Sequence, residues 1–224
     1  MTIYLEDTFE SGNTGSWDTS GTNGATISVI NGAALFGSYG LQYGNMIDTL
    51  YEAYLSKTVN YPVLNIRAYF QFNQHMADNT SVSALLWMAI FGNFSVDLVR
   101  GVGNSSYYWR LINRDTATYT GSSFTLPIGS KFCLETHGKI GTSTGEAILY
   151  YNDIAVINQT NIQVVDDGFN WTEVRVEAFQ DVGNANIGNL YIDNIVIANA
   201  YIGLVSSSQA VTYTDGLIYI NYNS

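Results

Sequence analysis

Hydrophobic and polar residues alternate along much of the chain, and the spacing of an amphipathic helix is rare. Residues 65–73 read Asn-Ile-Arg-Ala-Tyr-Phe-Gln-Phe-Asn, and residues 173–179 read Glu-Val-Arg-Val-Glu-Ala-Phe. Successive side chains of a β-strand point to opposite faces, so each segment predicts a strand with one buried and one polar face.

Short segments of this kind recur and are separated by turn signals, such as Asn-Gly at position 31 and Asp-Gly at position 215. The other predicted strands are 2–9, 26–30, 50–58, 83–91, 94–99, 106–112, 131–140, 145–151, 186–198 and 216–222. About a dozen short strands at this spacing predict an all-β chain that folds as a two-sheet antiparallel β-sandwich.

The last part of the chain, residues 204–224, differs from what precedes it. Three serines at 206–208 lead to a predicted hairpin in which Asp215-Gly216 joins two short strands, and the second strand carries apolar groups on both faces. Such a strand needs cover. We therefore expect this C-terminal hairpin extension to pack either on its own domain, residues 1–203, or on a neighbouring subunit in a homo-oligomer.

Charge and composition narrow the classes of partner. The chain has 224 residues, with 8 basic and 19 acidic side chains and a net charge of −11. A phosphate backbone would be repelled, so no nucleic acid is expected as a partner. No apolar run is long enough to cross a bilayer as a helix, so no membrane insertion is expected. The negative charge either attracts cations such as Ca²⁺ or serves solubility alone.

Three stretches of the chain carry sequence motifs that occur in the same order in a known superfamily. Residues 7–17 read Asp-Thr-Phe-Glu-Ser-Gly-Asn-Thr-Gly-Ser-Trp; residues 132–139 and 145–153 form a predicted hairpin; residues 191–197 read Tyr-Ile-Asp-Asn-Ile-Val-Ile. Their order resembles the concanavalin A-like lectin/glucanase superfamily, in particular laminin-G-like domains and carbohydrate-binding modules. The resemblance implies a jelly-roll sandwich over residues 1–203. This fold carries many functions, including binding and catalysis.

The same resemblance implies a structural Ca²⁺ that joins the opening strand to the closing strand. Glu10 and Asp193 fall at the matching positions, and Asp7 is close to Glu10 in sequence. Oxygen ligands of this kind suit Ca²⁺. The alternative is that Glu10 caps a turn and Asp193 faces solvent.

Polar side chains that share strand faces suggest a sugar-binding groove, because sugars stack on aromatic rings and bond to planar polar groups. If these faces line one concave sheet, the ligand-binding side chains are Arg67, Tyr69, Gln71, Trp109, Glu135, His137, Glu173, Arg175 and Glu177. The alternative is a ladder of cross-strand ion pairs that only stabilises the sheet.

These observations predict a non-catalytic, lectin-like surface module that binds a glycan or polysaccharide, located outside the cell, on the cell surface or on a virion. Two alternatives stay open: a structural building block of a virion, filament or surface layer, and a polysaccharide lyase or hydrolase. Catalysis would require residues such as Arg67, His137 and Glu173 to converge in one cleft.

Overall fold

The computed structural model describes residues 1–46, 51–76, 81–89, 93–101, 106–113, 117–164, 169–179 and 187–205, together with the backbone of 213–214 and 217–218. The strands, in chain order, are β1 (Ile3–Asp7), β2 (Thr19–Asn23), β3 (Thr26–Ile30), β4 (Gly40–Met46), β5 (Glu52–Tyr61), β6 (Val63–Phe72), β7 (Ser81–Ala89), β8 (Asn93–Arg100), β9 (Ser106–Asn113), β10 (Ala117–Thr125), β11 (Phe132–Lys139), β12 (Gly141–Tyr151), β13 (Ile154–Val164), β14 (Trp171–Phe179), β15 (Gly188–Ala198), β16 (Tyr213–Thr214) and β17 (Leu217–Ile218). One turn of 3₁₀ helix, Asn31–Ala33, follows β3.

The strands form two antiparallel sheets that face each other across one core. The eight-stranded sheet has the order β13-β12-β11-β6-β15-β4-β3, with β1 paired to β15. The seven-stranded sheet has the order β10-β9-β8-β7-β14-β5-β2. The predicted all-β, two-sheet antiparallel sandwich is confirmed.

The alternation of the sequence did not predict four of these strands, namely β2, β4, β10 and β13. Three of them, β2, β10 and β13, lie at sheet edges, are rich in Ser, Thr, Asn and Gly, and bury few side chains. Polar edge strands protect a sheet from further pairing, and they lack the apolar positions from which a strand is predicted.

The core lies between the sheets and is rich in large aromatic residues. Trp109 and Trp171 are the largest of its fully buried side chains. Trp171 reaches the core because a register shift between Trp171 and Glu173 interrupts the alternation of β14. The indole N–H of Trp171 donates to the Gly138 carbonyl on the opposite sheet at 3.2 Å, which ties the two layers together.

Two short strands represent the C-terminal extension. Tyr213 pairs with Ile218 and Thr214 with Leu217, in antiparallel register. Leu204 and Val205 are also described, and the remaining residues of the extension lie outside the described residues, so packing on a neighbouring subunit stays a prediction. Within the described ranges, no helix is long and apolar enough to cross a membrane.

Candidate functional site

The predicted sugar-binding residues do not form one groove, because their strands belong to different sheets. Glu135 of β11 lies opposite Arg67 of β6 in the eight-stranded sheet, whereas Arg175 belongs to β14 of the seven-stranded sheet. Their polar faces point away from the core in opposite directions. Arg67 and His137 therefore lie on the opposite side of the sandwich from Glu173, so the convergence that catalysis by these residues would require is not present.

On the eight-stranded sheet, a C-terminal segment (residues 199–205) packs on the outer face of β6 and β11. The two carboxylate oxygens of Glu135 accept hydrogen bonds from the backbone N–H groups of Ile202 and Gly203 at 2.7 and 2.8 Å. Burial raises the pKa of Glu135, and the two backbone N–H groups partly oppose that shift. Glu135 therefore anchors the chain's own backbone.

Arg67 and Tyr69 hold the same segment. Arg67 donates to the Gly203 carbonyl at 2.9 Å, and the Tyr69 hydroxyl accepts from the backbone N–H of Val205 at 2.7 Å. Arg67, Tyr69 and Glu135 are all buried. Their predicted role as sugar ligands is corrected, because the three side chains are buried and hold the chain's own C-terminal segment.

Trp109 is also corrected as a ligand residue. It is 1% exposed and packs among Phe124, Phe132 and Tyr151 in the core. The reason is the alternation of β9, in which Trp109 and its second neighbours point inward. By contrast, Gln71 and His137 stay partly exposed on the eight-stranded sheet.

The three predicted calcium ligands act in this structure as acceptors for N–H groups. Glu10 and Asp193 both hold the backbone of residues 35–39: Oδ2 of Asp193 accepts two N–H groups at 2.9 and 2.8 Å, and Oε1 of Glu10 accepts two at 2.8 and 3.0 Å. Asp7 accepts from a backbone N–H and from the indole of Trp17. Oxygens used in this way do not fit a cation site as they stand, and no group of three or more metal-ligating side chains is found among the described residues. Calcium binding stays a prediction.

The outer face of the seven-stranded sheet carries the second polar group, which we name the Arg175 cluster: Tyr54, Trp87, Glu173, Arg175 and Glu177. The Arg175 guanidinium carbon lies 4.4 Å from the centroid of the Tyr54 ring and 4.7 Å from that of Trp87. Its Nε is 2.8 Å from Glu173 Oε1, and its Nη1 is 3.7 Å from Glu177 Oε2. The cation is thus held between two rings and two carboxylates.

Strand register brings these side chains together. Arg175 lies opposite Ser56 on β5 and opposite Trp87 on β7, and Trp87 lies opposite Ser95 on β8. One row therefore runs across four adjacent strands. Tyr54, Ser56 and Trp87 were not found from the sequence, because nothing local indicates which strand will lie beside β14.

Glu177 is the residue of the Arg175 cluster whose carboxyl group can exchange a proton near neutral pH. Its pKa is about 7: burial raises the pKa most, the nearby Arg175 guanidinium lowers it, and the charge of Glu52 raises it. A carboxyl with this pKa exchanges a proton at neutral pH, which suits general acid–base catalysis. Glu173 differs, since it is more exposed and accepts a hydrogen bond from the Ser56 hydroxyl.

A second ion pair lies further along the same face. Asp97 of β8 is fully buried and accepts from Nη2 and Nε of Arg110 on β9 at 2.6 and 3.1 Å. Asp97 and Arg110 are direct cross-strand partners, and Asp97 lies two residues along β8 from Ser95. The face thus carries two guanidinium groups, Arg175 beside two carboxylates and Arg110 beside one.

Comparison with solved structures shows extensive likeness at low sequence identity. The endo-β-1,4-glucuronan lyase from the fungus Trichoderma reesei superposes with a TM-score of 0.66 at 12% identity, covering 89% of this chain and 96% of the lyase. A carbohydrate esterase from the Shiga toxin-encoding bacteriophage phi24B gives 0.62 at 15% identity, covering 89% and 99%. The alginate lyase vAL-1 from Chlorella virus gives 0.59 at 10% identity, covering 89% and 100%. No protein-family model and no curated protein sequence matches the chain.

These matches show the fold, a jelly-roll sandwich of the concanavalin A-like type. They also correct one expectation from the sequence. The expected non-catalytic, lectin-like module is wrong, because the solved structures with TM-scores of 0.59 to 0.66 are polysaccharide lyases and a carbohydrate esterase, above binding domains of botulinum neurotoxin at 0.56.

Proposed function

We propose that this protein is a polysaccharide lyase that cleaves a uronate-containing chain across the outer face of the seven-stranded sheet. The observation that carries the proposal is the Arg175 cluster, where a fixed cation lies beside a carboxyl group, Glu177, that titrates near neutral pH. The fold shared with glucuronan and alginate lyases supports it.

The chemistry of a lyase needs the two functions that this cluster offers. In β-elimination a base removes the proton from C5 of a uronate, the C4–O4 bond breaks, a C4=C5 double bond forms, and a proton is delivered to O4. Arg175 would lie against the uronate carboxylate and stabilise the negative charge that develops there. A guanidinium has five N–H donors, so contacts with two glutamates leave capacity for a substrate.

Glu177 would carry the proton. With a pKa of about 7 it accepts a proton from C5 as a carboxylate, or donates one to O4 as an acid. The rings of Tyr54 and Trp87 would offer flat apolar surfaces to sugar rings on either side of the guanidinium.

A hydrolase is the second candidate, and one observation favours it. Glu173 and Glu177 lie on the same face of β14 and both contact Arg175. Glycoside hydrolysis uses two carboxylates, one as acid and one as base or nucleophile. The raised pKa of Glu177 suits the acid of such a pair.

Product analysis separates the two reactions. The purified protein is incubated with alginate, with glucuronan and with a neutral β-glucan, and both ultraviolet absorbance from the conjugated C4=C5 bond and new reducing ends are measured. We expect absorbance with a polyuronate. Glu177→Gln and Arg175→Ala should each lower the rate of polyuronate cleavage by about 100-fold or more. The control variant Lys131→Ala removes a cation beside the other sheet and should leave that rate unchanged.

Reducing ends without absorbance would replace the lyase by a hydrolase. No product from any substrate, or full activity in Arg175→Ala, would overturn the proposal. The activity is proposed for the cell exterior or the surface of a virion, where polysaccharide is met. Membership of the laminin-G-like or carbohydrate-binding-module families, and a role as a structural building block, stay predictions.

A further inference from the structure

A pocket of about 180 Å³ opens on the outer face of the eight-stranded sheet, on the opposite side of the sandwich from the Arg175 cluster. Its floor is a row across three strands, in which His137 of β11 lies between Asn65 of β6 and Ile148 of β12. The C-terminal segment supplies another wall through Tyr201. The pocket therefore exists only because that segment folds back over the sheet.

Buried polar groups line this pocket. Asn65 is 1% exposed; its Oδ1 lies 3.1 Å from His137 Nδ1, and its Nδ2 has no hydrogen-bond partner among the described residues. Buried amides are nearly always hydrogen-bonded. A side-chain amide that lines a pocket with an unused donor indicates a ligand group that would accept from it.

The opposite side of the imidazole faces a carboxylate. His137 Nε2 lies 3.3 Å from Glu146 Oε2, without hydrogen-bond geometry, and Glu146 Oε1 accepts from Lys139 at 2.8 Å. Burial lowers the pKa of His137, and Glu146 opposes that shift. The imidazole and the Glu146 carboxylate thus lie beside the Asn65 amide in the pocket lining and offer polar groups to a ligand with hydroxyl groups.

Two tyrosine rings complete the pocket. The ring centroids of Tyr150 and Tyr201 lie 4.6 Å apart, and the Tyr201 hydroxyl is hydrogen-bonded to Asp153. Tyr201 is 45% exposed, so its ring presents a face to solvent at the pocket mouth. Aromatic rings beside planar polar groups bind the apolar face and the hydroxyls of a sugar at the same time.

We propose that this pocket is an accessory site for a single uncharged sugar unit, separate from the face where cleavage is proposed. The size suits one sugar unit, since a volume of about 180 Å³ is smaller than the ~300–1,000 Å³ of pockets that hold drug-sized ligands. The charge also fits: burial raises the pKa of Tyr150, the negative charges of Glu135, Glu146 and Asp153 raise it further, and the same carboxylates would repel a uronate. Because the two sites face opposite directions, a chain held in the pocket is not the chain being cut.

The proposal does not rest on catalysis, and its test measures binding alone. Glucose, galactose and mannose are titrated into the parent protein and into the Glu177→Gln variant, with glucuronate as the charged comparison. Binding is followed by calorimetry and by the NMR chemical shifts of the backbone amides in the C-terminal segment. We expect at least one neutral hexose to bind saturably and to shift those amides, and glucuronate to bind more weakly. Equal binding to Glu177→Gln keeps this result distinct from the fate of the lyase proposal.

Variants locate the binding. Tyr201→Ala should weaken binding about tenfold, Tyr201→Phe should retain most of it, and Tyr39→Ala, which removes a ring that is 40% exposed elsewhere, should leave it unchanged. No saturable binding of any hexose, tighter binding of glucuronate, or equal loss in the Tyr201→Ala and Tyr39→Ala variants would overturn the proposal.

Discussion

Replacing Glu177 by glutamine should stabilise the protein at high pH and leave its stability nearly unchanged at low pH. Glu177 is 6% exposed, and its pKa rises from an ordinary 4.5 to about 7. The folded state therefore holds this proton more tightly than the unfolded chain. The stability that the proton contributes is fully present below the ordinary pKa and is lost as the pH rises through 7.

The size of the effect follows from the pKa difference. Each unit corresponds to about 1.4 kcal/mol, so the change from 4.5 to about 7 amounts to roughly 3 kcal/mol above neutral pH. Glutamine is close in shape to the protonated acid and carries no charge, so the variant avoids this cost. The pKa of about 7 already includes the favourable interaction of ionised Glu177 with Arg175, so no further energy is subtracted for the lost ion pair. A net gain of about 3 kcal/mol is expected at about pH 8, with none at about pH 4.

Urea unfolding of both proteins at several pH values measures this difference directly. Glu6→Gln, at an exposed position of β1, controls for the loss of one negative charge from a strongly acidic chain. Subtracting the two variants isolates the buried carboxyl. A Glu177→Gln variant that is less stable than the parent at about pH 8, or a difference that does not change with pH, would show that Glu177 is not held in the way described.

Three further outcomes are expected. Glu135→Ala should lower the free energy of unfolding by about 3 kcal/mol, because two backbone N–H groups lose their acceptor. Amide hydrogen exchange at Ile202 and Gly203 should accelerate in this variant, and unchanged exchange there would contradict the anchoring role of Glu135. Gly37→Ala should lower the free energy of unfolding by about 2 kcal/mol, because this glycine has φ +64 and an added Cβ would collide with the Glu10 carboxylate. Gly12→Ala, with φ +72 and open space around it, should cost only about 1 kcal/mol in the same thermal unfolding assay, and equal losses would exclude the collision. Cleavage of a polyuronate should accelerate as ionic strength rises toward about 0.15 M, since salt screens the repulsion from a net charge of −11, and a rate that falls with salt would indicate attraction instead.

The sequence by itself determined the strands and the composition of their faces. Alternation within residues 65–73 and 173–179 is a local property of the pleated backbone, so it predicted that Arg67 and Tyr69 share one side of β6 and that Arg175 and Glu177 share one side of β14. The same reasoning fails where the backbone departs from regular pleating. The register shift beside Trp171 is such a place, and the polar edge strands offer no alternation to detect.

Only the tertiary structure decided which faces are open and which strands lie side by side. Glu135 and Arg175 are on opposite sides of the sandwich because β11 and β14 pair within different sheets. Trp109 is in the core rather than on a binding surface, and residues 199–205 cover side chains that were expected to bind sugar. Sheet membership and cover depend on contacts between residues far apart in the chain, which the pleat period of a single strand does not encode.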